Sequence, residues 1–141
     1  MRLLRLIYHS KAAEGCGYEE YDAIRTTANL YNAEANITGM LIFGRGRFLQ
    51  MLEGGDRAVN ALYNRIVTDP RHTEARIIEA VPVPRRAFPK WSMKAVIMDD
   101  HPENAVNGIV LRYLPRTDFE PDLLSAEGAL ALLHDMSALG K

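Results

Sequence analysis

The stretch NITGMLIFGRGRFLQMLEGG, residues 36–55, decides the fold, because two apolar runs flank a short turn that contains glycine. Residues 36–43 predict one strand, Gly44-Arg45-Gly46 a turn, and residues 47–53 a second strand that returns beside the first. The pair Gly54-Gly55 should stop the second strand. This stretch therefore predicts an antiparallel hairpin.

One residue of the hairpin does not fit a buried strand. Gln50 lies among apolar neighbours, and by strand alternation it shares a face with Phe48 and Leu52. An amide carries two donors and an acceptor, and burying it unpaired costs roughly 1–3 kcal/mol. The pattern therefore predicts that Gln50 points toward the helices and needs partners there.

Three further strands and two helices surround the hairpin. They are predicted as strand 2–10, a helix over 18–31 with Asn32 at its end, a helix from an Asp56 cap to about Asp69, strand 76–83 and strand 91–98. The order β-α-β-β-α-β-β over residues 1–98 predicts a ferredoxin-like α+β fold. Two helices should cover one face of a mainly antiparallel five-stranded sheet.

The tail, residues 99–141, has a different pattern. Two helices are predicted, from His101 to about Tyr113 and from Ser125, a reasonable N-cap, to about Leu139. The second should bury Leu130, Leu133 and Met136. The other face of the sheet needs a cover, which either these helices or a second subunit could provide.

Composition excludes several classes of protein. A net charge of −1 and a pI near 6.4 give no reason to expect direct contact with nucleic acid or anionic membranes. The single cysteine, Cys16, excludes an intrachain disulfide and fits the cytoplasm. No apolar run approaches the ~20 residues of a membrane span, and no secretion signal begins the chain.

The usual catalytic signatures are also missing from the sequence. It contains no G-x-S-x-G, P-loop, G-x-G-x-x-G, H-E-x-x-H or paired-cysteine motif, and its histidines lack metal-ligand spacing. We therefore expect no metal site, and no motif in the sequence indicates a particular reaction.

A set of polar and aromatic side chains lies where such groups are unexpected. Each has an ordinary explanation: an edge strand for Gln50, a rim hydroxyl for Tyr8, a helix C-cap for Asn32, a surface ion pair for Arg65 and Asp69 at i and i+4, and core packing for Trp91 and Met93. Tyr8 shares a strand face with Leu4 and Leu6. If that is the face of Gln50, the two side chains can meet.

Taken together, these residues resemble those of a known family. The motifs that carry the resemblance, in order, are LIYHS with Tyr8 and Ser10, Asn32, ITGMLIF, GRFLQMLEG with Gln50, LYNRIVTDPRH, and WSM with Trp91 and Met93. They resemble the BLUF domain of bacterial and algal blue-light sensors. The resemblance covers residues 1–98, and the tail resembles that of the short, single-domain members.

The resemblance implies a flavin between the two helices of the ferredoxin-like layer, with FAD as the usual ligand and FMN or riboflavin as alternatives. It implies that Asn32 bonds the pyrimidine edge, that Gln50 lies between Tyr8 and the flavin, and that Arg65 and Asp69 lie near the ribityl–phosphate side. The implied apolar contacts are Ile24, Phe48 and Ile66.

The family's usual scheme implies how such a protein signals. Light moves an electron and a proton away from Tyr8, with Gln50 relaying the proton, and leaves the glutamine rotated or tautomerised. Trp91 and Met93 would transmit the change. Without an output domain in these residues, we expect altered binding to a separate effector or response-regulator-like protein, and a homo-oligomer.

Two other functions remain open at this point. A ferredoxin-like acyl-phosphate hydrolase would need a phosphate-cradling loop with an arginine near the first strand, and YHSKAAEGCG has none. An adaptor that has lost its flavin and works by oligomerisation would not need Tyr8, Asn32 and Gln50 together.

Overall fold

The computed structural model describes residues 2–15, 17, 19 and 32–140. Five strands form one sheet: β1 (Leu3–Ala12), β2 (Thr38–Gly44), β3 (Arg47–Gly55), β4 (His72–Val83) and β5 (Lys94–Ile97). Their spatial order is β4-β1-β3-β2-β5, antiparallel except for the parallel pair β2–β5. The predicted α+β fold with a mainly antiparallel five-stranded sheet is confirmed.

The described helices are α1 (Asp56–Val67), α2 (Glu103–Val110) and α3 (Ala126–Ser137). Short 3₁₀ turns lie at Met98–Asp100, Pro121–Leu123 and Ala138–Gly140. The helix predicted over 18–31 lies, apart from residue 19, outside the described residues, as does Cys16. Within the described part of the chain, no helix has the length and apolar character that crossing a membrane requires.

The predicted hairpin forms, but its turn has two residues rather than three, because Gly44 still belongs to β2 and pairs with Arg47. Arg45 and Gly46 have φ of 54° and 80°, and two consecutive positive φ values match the twist of the flanking strands. The guanidinium of Arg45 binds the backbone oxygen of Thr117 and, at 2.7 Å, Oδ1 of Asn107. The turn therefore closes the hairpin and also attaches it to the tail.

Several predicted boundaries are wrong for one reason, which is pairing with distant strands. Gly54-Gly55 does not stop β3, because both residues pair with the start of β1. The N-cap of α1 is Gly55 rather than Asp56, which is the first helical residue. Pairing with β1 likewise extends β4 back to His72.

The first helix does not end at Asn32. Residues 32–35 are helical, and Asn36, with φ of 56°, takes the left-handed conformation that ends a helix. Asparagine tolerates this conformation, so both candidate positions carry a suitable residue, and local sequence cannot choose between them.

Alternation along the strands gives the sheet two apolar faces. On the face toward α1, called the site face, the cluster includes Leu6, Tyr8, Leu41, Phe48, Leu52, Val59 and Leu62. On the opposite face, called the tail face, the cluster includes Ile7, Met40, Ile42, Leu49, Met51, Val110, Leu132, Leu133 and Met136. The helices of the tail thus cover the second face.

The strand predicted over 91–98 is shorter than expected. It begins at Lys94, and the chain bends at Ser92. In a regular strand Trp91 and Met93 would point to the same face, but here Met93 packs on the site face and Trp91 on the tail face. The bend therefore places these two residues on opposite sides of the sheet.

Ser125 caps α3 as predicted, because its Oγ accepts a hydrogen bond from the Gly128 backbone N–H at 3.0 Å. We expect Ser125→Ala to lower the free energy of unfolding by about 1 kcal/mol. Ser125→Asp, which keeps an acceptor, should retain it. Urea unfolding followed by circular dichroism tests this, and equal midpoints for wild type and Ser125→Ala would contradict it.

Candidate functional site

The centre of the site is a pair of side chains on neighbouring strands. The register of β1 against β3 sets Tyr8 directly opposite Gln50 on the site face. The Tyr8 hydroxyl donates a hydrogen bond to Oε1 of Gln50, and both residues are buried. Tyr8 and Gln50 therefore share a face of the sheet and are in contact.

The surroundings of Tyr8 keep its proton in place. The ring meets Tyr63 edge-on at a centroid distance of 5.3 Å, and the ring of His72 lies 6.5 Å away. Burial raises the pKa of Tyr8 well above its ordinary value, and Tyr63 and Asp69 raise it further. Tyr8 is therefore a neutral phenol at physiological pH.

Gln50 is bonded on its other side to a weak acceptor. Its Nε2 donates to the sulfur of Met93 at 3.3 Å, and a thioether accepts hydrogen bonds poorly. Trp91, on the tail face, stacks on Phe88 at a centroid distance of 5.7 Å. Of the two predicted signal-transmitting residues, Met93 therefore lies at the glutamine and Trp91 does not.

Asn32 contributes a buried acceptor without a partner. The residue is fully buried, and its Nδ2 donates to the backbone oxygen of Ser92 at 2.9 Å. Its Oδ1 has no hydrogen-bond partner among the described residues. An unsatisfied buried acceptor costs roughly 1–3 kcal/mol. A ligand with an N–H group at this position would remove that cost.

Apolar side chains line the same face. Phe48 is fully buried and packs against Phe43 and the ring of His72, at centroid distances of 4.7 and 4.4 Å. Ile66 is half-buried and packs on the same cluster. Ile24, the third predicted apolar contact, lies outside the described residues.

Arg65 and Asp69 do not lie on one helix, as the predicted i, i+4 pair required. Helix α1 ends at Val67, so Asp69 lies beyond it. The Asp69 carboxylate binds Arg71, at 2.6 Å from Nη2, and this hydrogen bond holds the pKa of Asp69 below its usual range. The helical spacing predicted from sequence was therefore wrong.

Sequence reasoning missed a buried contact beside Tyr8. Ser10 Oγ and His72 Nδ1 lie 2.9 Å apart, and both residues are buried. Burial lowers the pKa of His72 to about 4, although Asp69 acts in the opposite direction. Both residues stood in the recognised motifs, but 62 positions separate them and no local pattern predicts their contact.

The arrangement suits a planar heterocycle better than a metal. It combines an apolar slot with a few placed polar groups, a phenol that can donate an electron, and an amide that can donate and accept. Within residues 2–15, 17, 19 and 32–140, no group of three or more His, Cys, Asp or Glu side chains could hold a metal ion.

Comparison with known proteins agrees with this geometry. Residues 3–94 match the model of the BLUF family, described as sensors of blue-light using FAD. A photoactivated adenylate cyclase subunit beta from Euglena gracilis is 39% identical over 92 residues, covering 64% of this chain and 11% of the relative. The chain therefore matches about a ninth of the length of that relative.

Two shorter proteins are also similar. The blue light- and temperature-regulated antirepressor BluF of Escherichia coli is 32% identical over 92 residues, covering 65% of this chain and 23% of the antirepressor. The dark-state structure of BlrB, a BLUF protein, superposes with a TM-score of 0.79 at 26% identity and covers 99% of this chain and 98% of BlrB. The likeness to BlrB includes the tail.

The buried His72 predicts a specific dependence of stability on pH. Its pKa is near 4 in the fold and 6.5 when unfolded, so acidification protonates the unfolded chain first. The free energy of unfolding should therefore fall as pH drops from 6.5 to 4, by about 3 kcal/mol from this group.

Denaturant titrations at several pH values measure this loss. His72→Gln should remove this contribution to the loss of unfolding free energy at low pH. His101→Gln, which changes a histidine away from Tyr8 and Ser10, should keep it. The same pH slope in His72→Gln as in wild type would contradict the assignment.

Proposed function

The chain belongs to the BLUF family, the sensors of blue light using FAD, and from this membership we propose that its photoactive pair is Tyr8 and Gln50. Members of this family bind a flavin, and we propose that this chain holds FAD non-covalently on the site face. The single observation that carries the proposal is the buried hydrogen bond from the Tyr8 hydroxyl to Gln50 Oε1.

The residues of the site fit this cofactor. The imide edge of a flavin presents an N–H group, which the unpartnered Oδ1 of Asn32 can accept. Phe48 and Ile66 offer apolar contacts for the ring, with Ile24 proposed as a third. Arg65 and Asp69 are proposed for the ribityl–phosphate side, where Arg71 offsets the charge of Asp69.

When bound, the flavin supplies absorption of blue light and an excited state that accepts an electron from a nearby phenol. Tyr8 gives up that electron, and its acidity rises sharply as it does so. The proton would pass from the Tyr8 hydroxyl to Oε1 of Gln50, along the hydrogen bond already present, while Nε2 of Gln50 would release one of its protons to the reduced flavin, so that the amide stays neutral. When electron and proton return to Tyr8, the amide can be left rotated or tautomerised.

A changed amide alters the contact with Met93. In the present arrangement Nε2 of Gln50 faces the Met93 sulfur. Rotation of the amide would turn Oε1 toward that sulfur and remove the hydrogen bond, since neither atom carries a proton to donate. Met93 would then be released from Gln50, and with it the segment that leads to Trp91.

This exchange is large enough to act as a signal. One or two hydrogen bonds of ~0.5–1.5 kcal/mol each can bias a two-state element by roughly 5–150-fold. We propose that the chain acts as a cytoplasmic sensor rather than as an enzyme. Its light state would bind a separate effector or response-regulator-like protein differently, or change its association with a second copy.

Replacing the relay group tests the mechanism. Gln50→Glu should abolish the reversible red shift of the flavin absorption under blue light, because an ionised carboxylate accepts but cannot donate. Absorption spectra in darkness and under illumination measure this. Asn60→Asp, the same change at an exposed amide of α1, should leave the shift intact. An unchanged shift in Gln50→Glu would refute the relay.

The proposed output is tested on the same proteins. Blue light should increase hydrogen exchange in residues 91–93 and in the tail of the wild type, and should shift its sedimentation distribution. Gln50→Glu should show neither change. If illumination leaves both exchange and sedimentation of the wild type unaltered, the proposed transmission through Met93 is wrong.

A further inference from the structure

We propose that Glu53 is a positioning residue that anchors the segment 86–93, so that Gln50 can release Met93 while the start of the segment stays in place. The inference rests on the proposed function, because it assigns the fixed point about which the light-driven change occurs. Glu53 lies three residues after Gln50 on β3 and on the opposite face of the sheet.

Glu53 is an acidic side chain in an unusual place. It is fully buried, and a carboxylate loses much of its hydration there unless hydrogen bonds replace it. Its Oε1 accepts from the backbone N–H groups of Ala87 and Phe88 at 2.8 and 3.1 Å, and its Oε2 accepts from Ala87 at 3.0 Å. No ion pair among the described residues involves this carboxylate.

Arg86 also attaches the start of the segment to the sheet. Its guanidinium donates to the backbone oxygens of Glu53 and Asn36 and to Oγ1 of Thr38, each at 2.9 Å. Residues 86–88 are therefore fastened to β2 and β3 by charged groups, whose hydrogen bonds are stronger than those between neutral groups.

The far end of the segment is held differently. Nδ2 of Asn32 binds the Ser92 oxygen at 2.9 Å, and Nε2 of Gln50 binds the Met93 sulfur at 3.3 Å. Both donors are neutral amides of the proposed flavin site. The Gly39 N–H also donates to the Trp91 oxygen at 3.1 Å. A change in the hydrogen bonds of Asn32 and Gln50 can thus loosen residues 91–93, while Glu53 still holds residues 87 and 88.

Trp91 rests on the part that Glu53 fixes. Its ring stacks on Phe88, with planes 24° apart, and Nζ of Lys94 lies 4.6 Å from its centroid. Phe88 in turn stacks on His134 of α3. Trp91 borders an open groove of about 480 Å³, which is lined in part by Lys90 and Arg112. Phe88, which Glu53 holds in place, therefore lies between Trp91 and helix α3 of the tail and contacts both.

Glu53→Gln tests the anchor in the protein kept in darkness. Glutamine removes the charge that strengthens the bonds to Oε1 and replaces Oε2, the second acceptor for Ala87, with an NH2 donor that faces the Ala87 N–H. Exchange of the Ala87 and Phe88 amides should therefore accelerate about tenfold or more. Trp91 is the only tryptophan, so its emission reports on this segment alone. The emission should shift to the red, and acrylamide should quench it more strongly, because the indole becomes more exposed to solvent.

Glu79→Gln is the matched control, since it makes the same change at a half-buried carboxylate on β4 that pairs with Arg5. It should leave exchange at residues 86–93 and Trp91 emission as in wild type. If Glu53→Gln behaves like Glu79→Gln in both measurements, the anchor is refuted, whatever the light response. If the wild type shows no light-dependent absorption shift, the proposed function fails while the anchor is still decided by these dark measurements.

A second variant covers the case in which Glu53→Gln does not fold. Arg86→Gln leaves the buried carboxylate intact but removes the charged attachment to β2 and β3. It should accelerate exchange at residues 86–88 and shift Trp91 emission in the same direction as Glu53→Gln, to a smaller extent. Unchanged exchange and emission in Arg86→Gln would then refute the anchor.

Discussion

The register between β1 and β3 is the constraint on which the site depends. It sets Tyr8 opposite Gln50, and a shift of one residue would carry Gln50 to the tail face, away from Tyr8. The register is itself secured by burial, because Leu6 and Leu52 pair on the same face as Tyr8 and Gln50. The apolar core thus specifies the geometry of a polar contact.

One strand serves both sides of the molecule. On β3, Gln50 accepts a hydrogen bond from Tyr8 on the site face, while Glu53 holds residues 87 and 88 from the tail face. A strand is stiff along its length, so the distance between these two points is set by the backbone. The segment 86–93 spans from one point to the other, which makes it the natural part of the chain to respond to a change at Gln50.

Local patterns were sufficient for the hairpin, the sheet and the cap at Ser125, because alternation, turn glycines and capping hydroxyls act within a few residues. They failed where distant contacts decide. The bend at Ser92, whose oxygen binds Asn32 sixty positions earlier, separates Met93 from Trp91. Asp69 lies beyond the end of α1 at Val67 and binds Arg71. The orphaned Oδ1 of Asn32 likewise has no signature in sequence.

The contacts between hairpin and tail differ in kind from those of the site. Arg45 binds Thr117 and Asn107 at the surface, and Arg47 lies 3.6 Å from the half-exposed Asp122. Dissolved ions screen the Arg47–Asp122 ion pair, whereas the hydrogen bond between Tyr8 and Gln50 joins neutral groups and is buried. Ionic strength should therefore change how firmly the tail is attached to the sheet, while the hydrogen bond between Tyr8 and Gln50 stays the same. The site and the attachment of the tail can therefore be varied independently.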